Sequence, residues 1–123
     1  MPDFGSKSTE RLLTLHPDNQ RVLRRAIIIT DFSITYGYRD EDAQMEAYLG
    51  GFSNKQWGES THNVMPSDGF DLAPYPIRWD DVDRFCYLAG VVMAVGHEMG
   101  VRLRWGGWWD KPKDYGHFER LRS

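Results

Sequence analysis

The order of apolar patterns along this sequence predicts an α+β fold: a small single domain of helices packed on a mainly antiparallel sheet. Three observations carry that expectation. Four segments show capped, helix-period apolar stripes. Several short alternating or apolar runs, bounded by Gly and Pro, read as strands. The chain has 123 residues and 41% hydrophobic content, which suits one globular domain spanning residues 1–123 and excludes a disordered chain.

Residues 6 to 15 form the first expected helix, with Ser8 or Thr9 as N-cap and Leu12, Leu13 and Leu15 as its apolar stripe. Pro17 and Asp18 open a second, where a missing N–H costs little, and Val22, Leu23, Ala26, Ile27 and Ile29 give it a buried face. Residues 31–38, DFSITYGY, alternate as a strand. A third helix starts at Arg39-Asp-Glu-Asp, runs to about Leu49 and stops at Gly50-Gly51. Residues 52–66, with Gly58, Pro66 and several Ser and Asn residues, read as a long loop, a common place for function. Residues 69–73 read as a short buried strand stopped by Pro74 and Pro76. The longest helix begins at Asp80-Asp-Val-Asp, whose acidic first turn suits the helix dipole, and ends at Gly100. Val101 to Trp105 alternates as a strand, Gly106-Gly107 turns the chain, and His117 to Leu121 is a last short strand.

Charge and cysteine content narrow the function classes. A formal net charge of -3 gives no footprint of a nucleic-acid binder. The single cysteine, Cys86, excludes an intrachain disulfide and fits synthesis in a reducing compartment; its helical position reads as plain core. The N-terminal segment has no apolar h-region, so no secretory signal peptide is expected, and the apolar run from Leu88 to Val95 is too short for membrane insertion.

Four histidines are present: His16, His62, His97 and His117. His62 lies in the loop Ser60-Thr-His-Asn, just before the strand that carries Asp71, and His117 starts the last strand. Two histidines and one carboxylate would satisfy a catalytic zinc, which takes three protein ligands and leaves one position for water. Asp71, between Phe70 and Leu72, is expected to be buried and so to need a partner or a metal. By spacing alone, a histidine is more often structural than a ligand, and Asp71 reads equally as a capping or turn residue. Asp114, three residues before His117, is close enough to reach the same water. His16 reads as a helix-junction residue, and His97 as a last-turn cation outside the site.

These residues stand in an order that resembles the phage endolysins and bacterial carboxypeptidases of the L-alanyl-D-glutamate peptidase/D-alanyl-D-alanine carboxypeptidase family. Ser60-Thr-His62 is similar to the family's Ser-x-His element. Asp71-Leu-Ala-Pro resembles its Asp-[Val/Leu/Ile]-Ala-Pro element, and Gly116-His-Phe-Glu119 its Pro-His-Phe-Glu, with Gly in place of Pro. Tyr36-Gly-Tyr-Arg39 with Gln44 and Tyr48, Leu103-Arg-Trp-Gly-Gly107, and Leu15-His-Pro-Asp18 extend the likeness over nearly the whole chain. Where phage members commonly read Trp-Gly-Gly-Asp-Trp, this chain reads Trp-Gly-Gly-Trp-Trp-Asp, which leaves Asp110 without a clear counterpart. The loop from Trp109 to Asp114 is also short, which could open the substrate cleft.

The resemblance implies zinc on His62, Asp71 and His117, with Asp114 as general base. Arg39 would bind a substrate carbonyl or carboxylate and stabilise the oxyanion; otherwise it would pair with Glu41 or Asp42. Ser60 would support the loop or a ligand by a hydrogen bond. Glu119 shares the face of His117 and could support that ligand or pair with an arginine. Trp105 reads as core, while Trp108 and Trp109 could line a substrate wall. Arg102, Arg104, Arg120 and Arg122 could meet an anionic envelope or form an ordinary solvated face. The implied activity is zinc-dependent endopeptidase cleavage of the L-alanyl-D-glutamate bond in bacterial peptidoglycan, by a monomer with no nucleic-acid partner. Such an enzyme would be made in the host cytoplasm and reach the wall after membrane permeabilisation. A D-alanyl-D-alanine carboxypeptidase with the same site, or a non-catalytic wall-binding domain, are the alternatives.

Overall fold

The computed structural model describes residues 2–110 and 113–122. Four α-helices and four strands follow one another along the described chain: α1 (Ser6–Leu12), α2 (Pro17–Ile29), β1 (Phe32–Tyr36), α3 (Glu41–Leu49), β2 (Gly69–Pro74), α4 (Val82–Glu98), β3 (Leu103–Trp105) and β4 (His117–Arg120). The strands form one antiparallel sheet in the order β1-β2-β4-β3, so the fold is the expected α+β domain. Its core joins Val22, Leu23 and Ala26 of α2, Leu88 and Val92 of α4, and Phe70, Leu72 and Phe118 of the sheet. Phe70 and Phe118 face each other across β2 and β4 with ring centroids 5.5 Å apart.

Several boundaries differ from the sequence reading. The first helix starts at Ser6 with Gly5 as N-cap, because Ser8 turns inward and its Oγ accepts the Ile34 N–H at 3.0 Å. It ends at Leu12, which leaves Leu13 exposed, while Leu15 makes a parallel bridge to Ser67. Arg39 precedes α3 rather than opening it; Asp40 is the N-cap, its Oδ1 accepting the Ala43 N–H at 2.9 Å. β3 is shorter than expected because Val101 still donates to the Gly96 carbonyl of α4, beyond a left-handed Gly100 with φ 73°. Cys86 is exposed, not core: the buried stripe of α4 runs through Phe85, Leu88, Ala89, Val92 and Val95, and Cys86 lies one position off it. Among the described residues no helix is long and apolar enough to cross a membrane.

Candidate metal centre

Two of the three proposed ligands come from neighbouring strands. Asp71 on β2 stands directly opposite His117 on β4, so their side chains leave the sheet on one face. The third comes from a 3-10 turn, Thr61–Asn63, inside the long loop. Ser60 caps this turn, its Oγ accepting the His62 N–H at 3.2 Å. The Asn63 side chain closes the turn by accepting the Ser60 and Gly58 N–H groups at 3.2 and 3.0 Å. Asn63 Nδ2 then donates to the Arg39 carbonyl and to Gln44 Oε1. Gln44, fully buried on α3, holds the rest of the loop by donating to Ser53 Oγ and the Lys55 carbonyl. Asn63 was not singled out from the sequence; its place three residues after Ser60 is a capping-box signal that could have found it.

The ligand atoms converge. His62 Nε2 lies 3.2 Å from Asp71 Oδ1 and 3.2 Å from His117 Nδ1, and His117 Nδ1 lies 2.8 Å from Asp71 Oδ1. Ligands about 2.0–2.2 Å from a tetrahedral metal stand about 3.3 Å apart, so this spacing fits one small cation. The outer ring nitrogens settle the protons. His62 Nδ1 lies 2.7 Å from the Gly37 carbonyl oxygen, which can only accept, so Nδ1 carries the hydrogen and Nε2 presents a lone pair. His117 Nε2 lies 2.8 Å from Glu119 Oε1 and donates to it, so a neutral His117 presents its Nδ1 lone pair inward. Three acceptor atoms therefore face one another, an arrangement that needs a proton or a metal between them.

Charges follow from the same contacts. Burial opposes ionisation of Asp71, but His62 and His117 outweigh it and hold the carboxyl well below the usual range. Burial also opposes a charged His117, yet its bonds to Asp71 and Glu119 raise it to about 9. The hydrogen bond from His117 lowers Glu119. Glu119 reaches Arg104 as well, at 4.0 Å, so it contacts both partners considered from the sequence.

Asp114 is carried to this group by a tight turn. Its N–H donates to the Gly106 carbonyl at 3.0 Å, and its own carbonyl accepts the His117 N–H at 3.2 Å. A Cβ on Gly106 would strike the Asp114 carbonyl oxygen, so only glycine permits this approach. Desolvation and the Asp71 carboxylate raise Asp114 above its ordinary value, although part of the residue faces solvent. Lys113 Nζ donates to the Gly107 and Trp109 carbonyls and ties the two sides of the turn together. Residues 111 and 112, in the loop whose shortness could open the cleft, lie outside the described residues.

Arg39 joins the site through its backbone, donating its N–H to the His62 carbonyl at 2.8 Å. Neither Glu41 nor Asp42 pairs with it: its guanidinium lies over the Tyr36 ring, and its buried Nε has no hydrogen-bond partner among the described residues. Trp109 packs beside His117 with ring centroids 5.2 Å apart. Trp108 is exposed and meets Trp105 edge-on, and Trp105 is buried with Nε1 donating to the Tyr115 carbonyl. Asp110 is exposed. His16 lies apart as the N-cap of α2, and His97 is an exposed last-turn residue of α4. Arg120 and Arg122 both pair with the buried Asp68 rather than forming a free basic face.

Comparison with known proteins gives one consistent answer. The family model described as phage L-alanyl-D-glutamate peptidase matches residues 2–121. The chain is 33% identical over 118 residues to the L-alanyl-D-glutamate peptidase of Escherichia phage T5, covering 91% of this chain and 85% of that protein. It is also similar to the crystal structure of the L-Ala D-Glu endopeptidase ChiX of Serratia marcescens, with a TM-score of 0.83 and 30% identity. That match covers 96% of this chain and 89% of the other.

Proposed function

Because the chain belongs to the phage L-alanyl-D-glutamate peptidase family, we propose that it is a zinc-dependent endolysin cleaving the L-alanyl-D-glutamate bond of the peptidoglycan stem. We read residues 1–123 as one peptidase domain that works on the cell wall as a monomer. The observation that carries the zinc reading is the convergence of three lone pairs, on His62 Nε2, Asp71 Oδ1 and His117 Nδ1, with both outer ring nitrogens occupied as donors. This donor set, two imidazoles and one carboxylate, suits zinc.

When bound, zinc would bring the pKa of a coordinated water to about 7 and polarise the scissile carbonyl. The protein groups do the rest. Asp114, with its raised carboxyl, takes the proton of the attacking water and returns it to the leaving amine. Arg39 supplies positive charge to the developing oxyanion or to a substrate carboxylate. Glu119 and the Gly37 carbonyl fix the two imidazoles in their ligating tautomers. Ser60 holds the turn that presents His62. Trp109, beside His117, and the exposed Trp108 form a wall for the peptide or glycan.

The test is turbidity of purified peptidoglycan with native protein, with chelator, and with zinc restored, followed by end-group analysis. Clearance that stops with chelator, returns with zinc and frees glutamate amino groups is expected. Release of D-alanine alone would transfer the site to the carboxypeptidase reaction, and no clearance with no bound zinc would leave a wall-binding domain.

A further inference from the structure

β1 and β2 are out of step at one place. Ile34 faces Leu72, yet the next pairing joins Tyr36, not Thr35, to Asp71. One extra residue on β1 makes this a β-bulge. In a regular ladder Thr35 would oppose Asp71, and Tyr36 would share the buried face of Ile34. The bulge instead turns Tyr36 to the face of Asp71, and Asp71 in turn opposes His117. Tyr36, Asp71 and His117 thus form one row across three strands, and the row ends on an aromatic ring that is 54% exposed.

Arg39 rests on that ring, its Cζ 5.5 Å from the centroid. The Arg39 backbone has no freedom to move away: its N–H donates to the His62 carbonyl and its carbonyl accepts from Asn63 Nδ2. No salt bridge to Arg39 occurs among the described residues, and its buried Nε donates to nothing. A carboxylate partner would hold a guanidinium but neutralise it. An aromatic face holds it and leaves its charge available to a ligand. The planar donor fork also suits a carboxylate better than a point charge does.

We infer that Tyr36 is a specificity-determining positioning residue, whose ring, in one row with Asp71 and His117, holds the Arg39 guanidinium to engage the free carboxylate of the substrate glutamate. This rests on the peptidase reading above. Glutamate has two carboxyl groups; whichever one continues the stem, the other stays free within a few bonds of the scissile nitrogen. The clamp therefore selects glutamate over its amide.

The experiment compares a soluble L-alanyl-D-glutamyl stem peptide with the same peptide amidated at the free glutamate carboxylate. KM and kcat are measured on zinc-loaded protein, and equilibrium binding on metal-free protein. Native protein is expected to prefer the carboxylate peptide in both KM and binding. Tyr36→Leu should reduce that preference about 10-fold, through KM rather than kcat, while Tyr36→Phe keeps it. Arg39→Lys, which keeps the charge but not the stacking fork, should lose the preference too. Equal handling of both peptides by native protein, or full preference in Tyr36→Leu, overturns the clamp. A loss in Tyr36→Phe as large as in Tyr36→Leu overturns it also, because the ring would not be the cause. Native protein that cleaves neither peptide would instead overturn the peptidase reading itself.

Discussion

Raising the pH from 7 to 9, where half the molecules have lost the proton, is expected to tighten zinc binding about 50-fold, because a proton and the metal compete for His117 Nδ1. In the metal-free protein that nitrogen is 2.8 Å from Asp71 Oδ1, and Nε2 is 2.8 Å from Glu119 Oε1. Burial disfavours a charged ring here, but the two carboxylates outweigh it and raise His117 to about 9. At pH 7, two units lower, roughly one molecule in 100 has Nδ1 free, which costs metal binding about 2.7 kcal/mol. The sign is fixed by the direction of the shift. The folded value lies above the ordinary one near 6.5, so the proton stabilises metal-free protein fully below about pH 6.5 and is lost towards about pH 9. Zinc affinity therefore climbs over the window in which the metal-free fold loses that support. Competition against a chromophoric chelator at pH 6, 7, 8 and 9, corrected for chelator protonation, reads the affinity. Calorimetry in two buffers reads about one proton released per zinc at pH 7. Affinity that changes less than about two-fold between pH 7 and 9, with no proton released, would refute the proton assignment.

Removing Glu119 separates orientation from proton competition: at pH 9, Glu119→Ala should weaken zinc binding about 10- to 100-fold in the same chelator assay. Asp114→Asn should lower kcat on the stem peptide by about 10²- to 10⁴-fold while zinc stoichiometry stays at one. In metal-free protein the Asp114 carboxyl should titrate above an ordinary aspartate, read from its carboxyl carbon by NMR, because burial and the Asp71 carboxylate disfavour its charge. Phe118→Ala, which empties a fully buried position against Phe70, should cost about 3–5 kcal/mol in urea unfolding with the m-value unchanged.

Helices and strands were legible wherever one physical signal dominated. α2 and α4 carry long apolar stripes and punctual caps, and β2 and β4 lie where short apolar runs meet Pro or Gly. Boundaries failed where a polar side chain took a tertiary partner. Ser8 looked like a cap but binds Ile34, and Arg39 looked like a helix start but binds the His62 loop. Motif order marks the three converging residues, since two lone histidines 55 positions apart carry little signal by spacing. Gly37 was invisible as a site residue, because what it contributes to His62 is a backbone carbonyl. Tyr36 was hidden for another reason. In DFSITYGY it keeps the phase of Phe32 and Ile34, and alternation assigns it to the core; the bulge that exposes it has no mark in composition.

The site's construction divides rigidity unequally between its three converging residues. Asp71 and His117 are fixed by adjacent strands whose register is set by the Phe70–Phe118 stack one residue away. A slip of either strand by one residue would send its member of the pair to the core face, so the hydrophobic pattern that folds the sheet also keeps Asp71 and His117 together. His62 has no strand to hold it. Its place depends on the Ser60 cap, the Gly37 carbonyl and the Asn63–Gln44 anchor, all of them hydrogen bonds. Those same bonds reach Arg39, through the His62 carbonyl on one side and Asn63 on the other. His62 and Arg39 are therefore set by one polar bracket, and Asp71 and His117 by packing. Loosening the bracket should disturb metal and substrate binding together, whereas loosening the core should lower stability first.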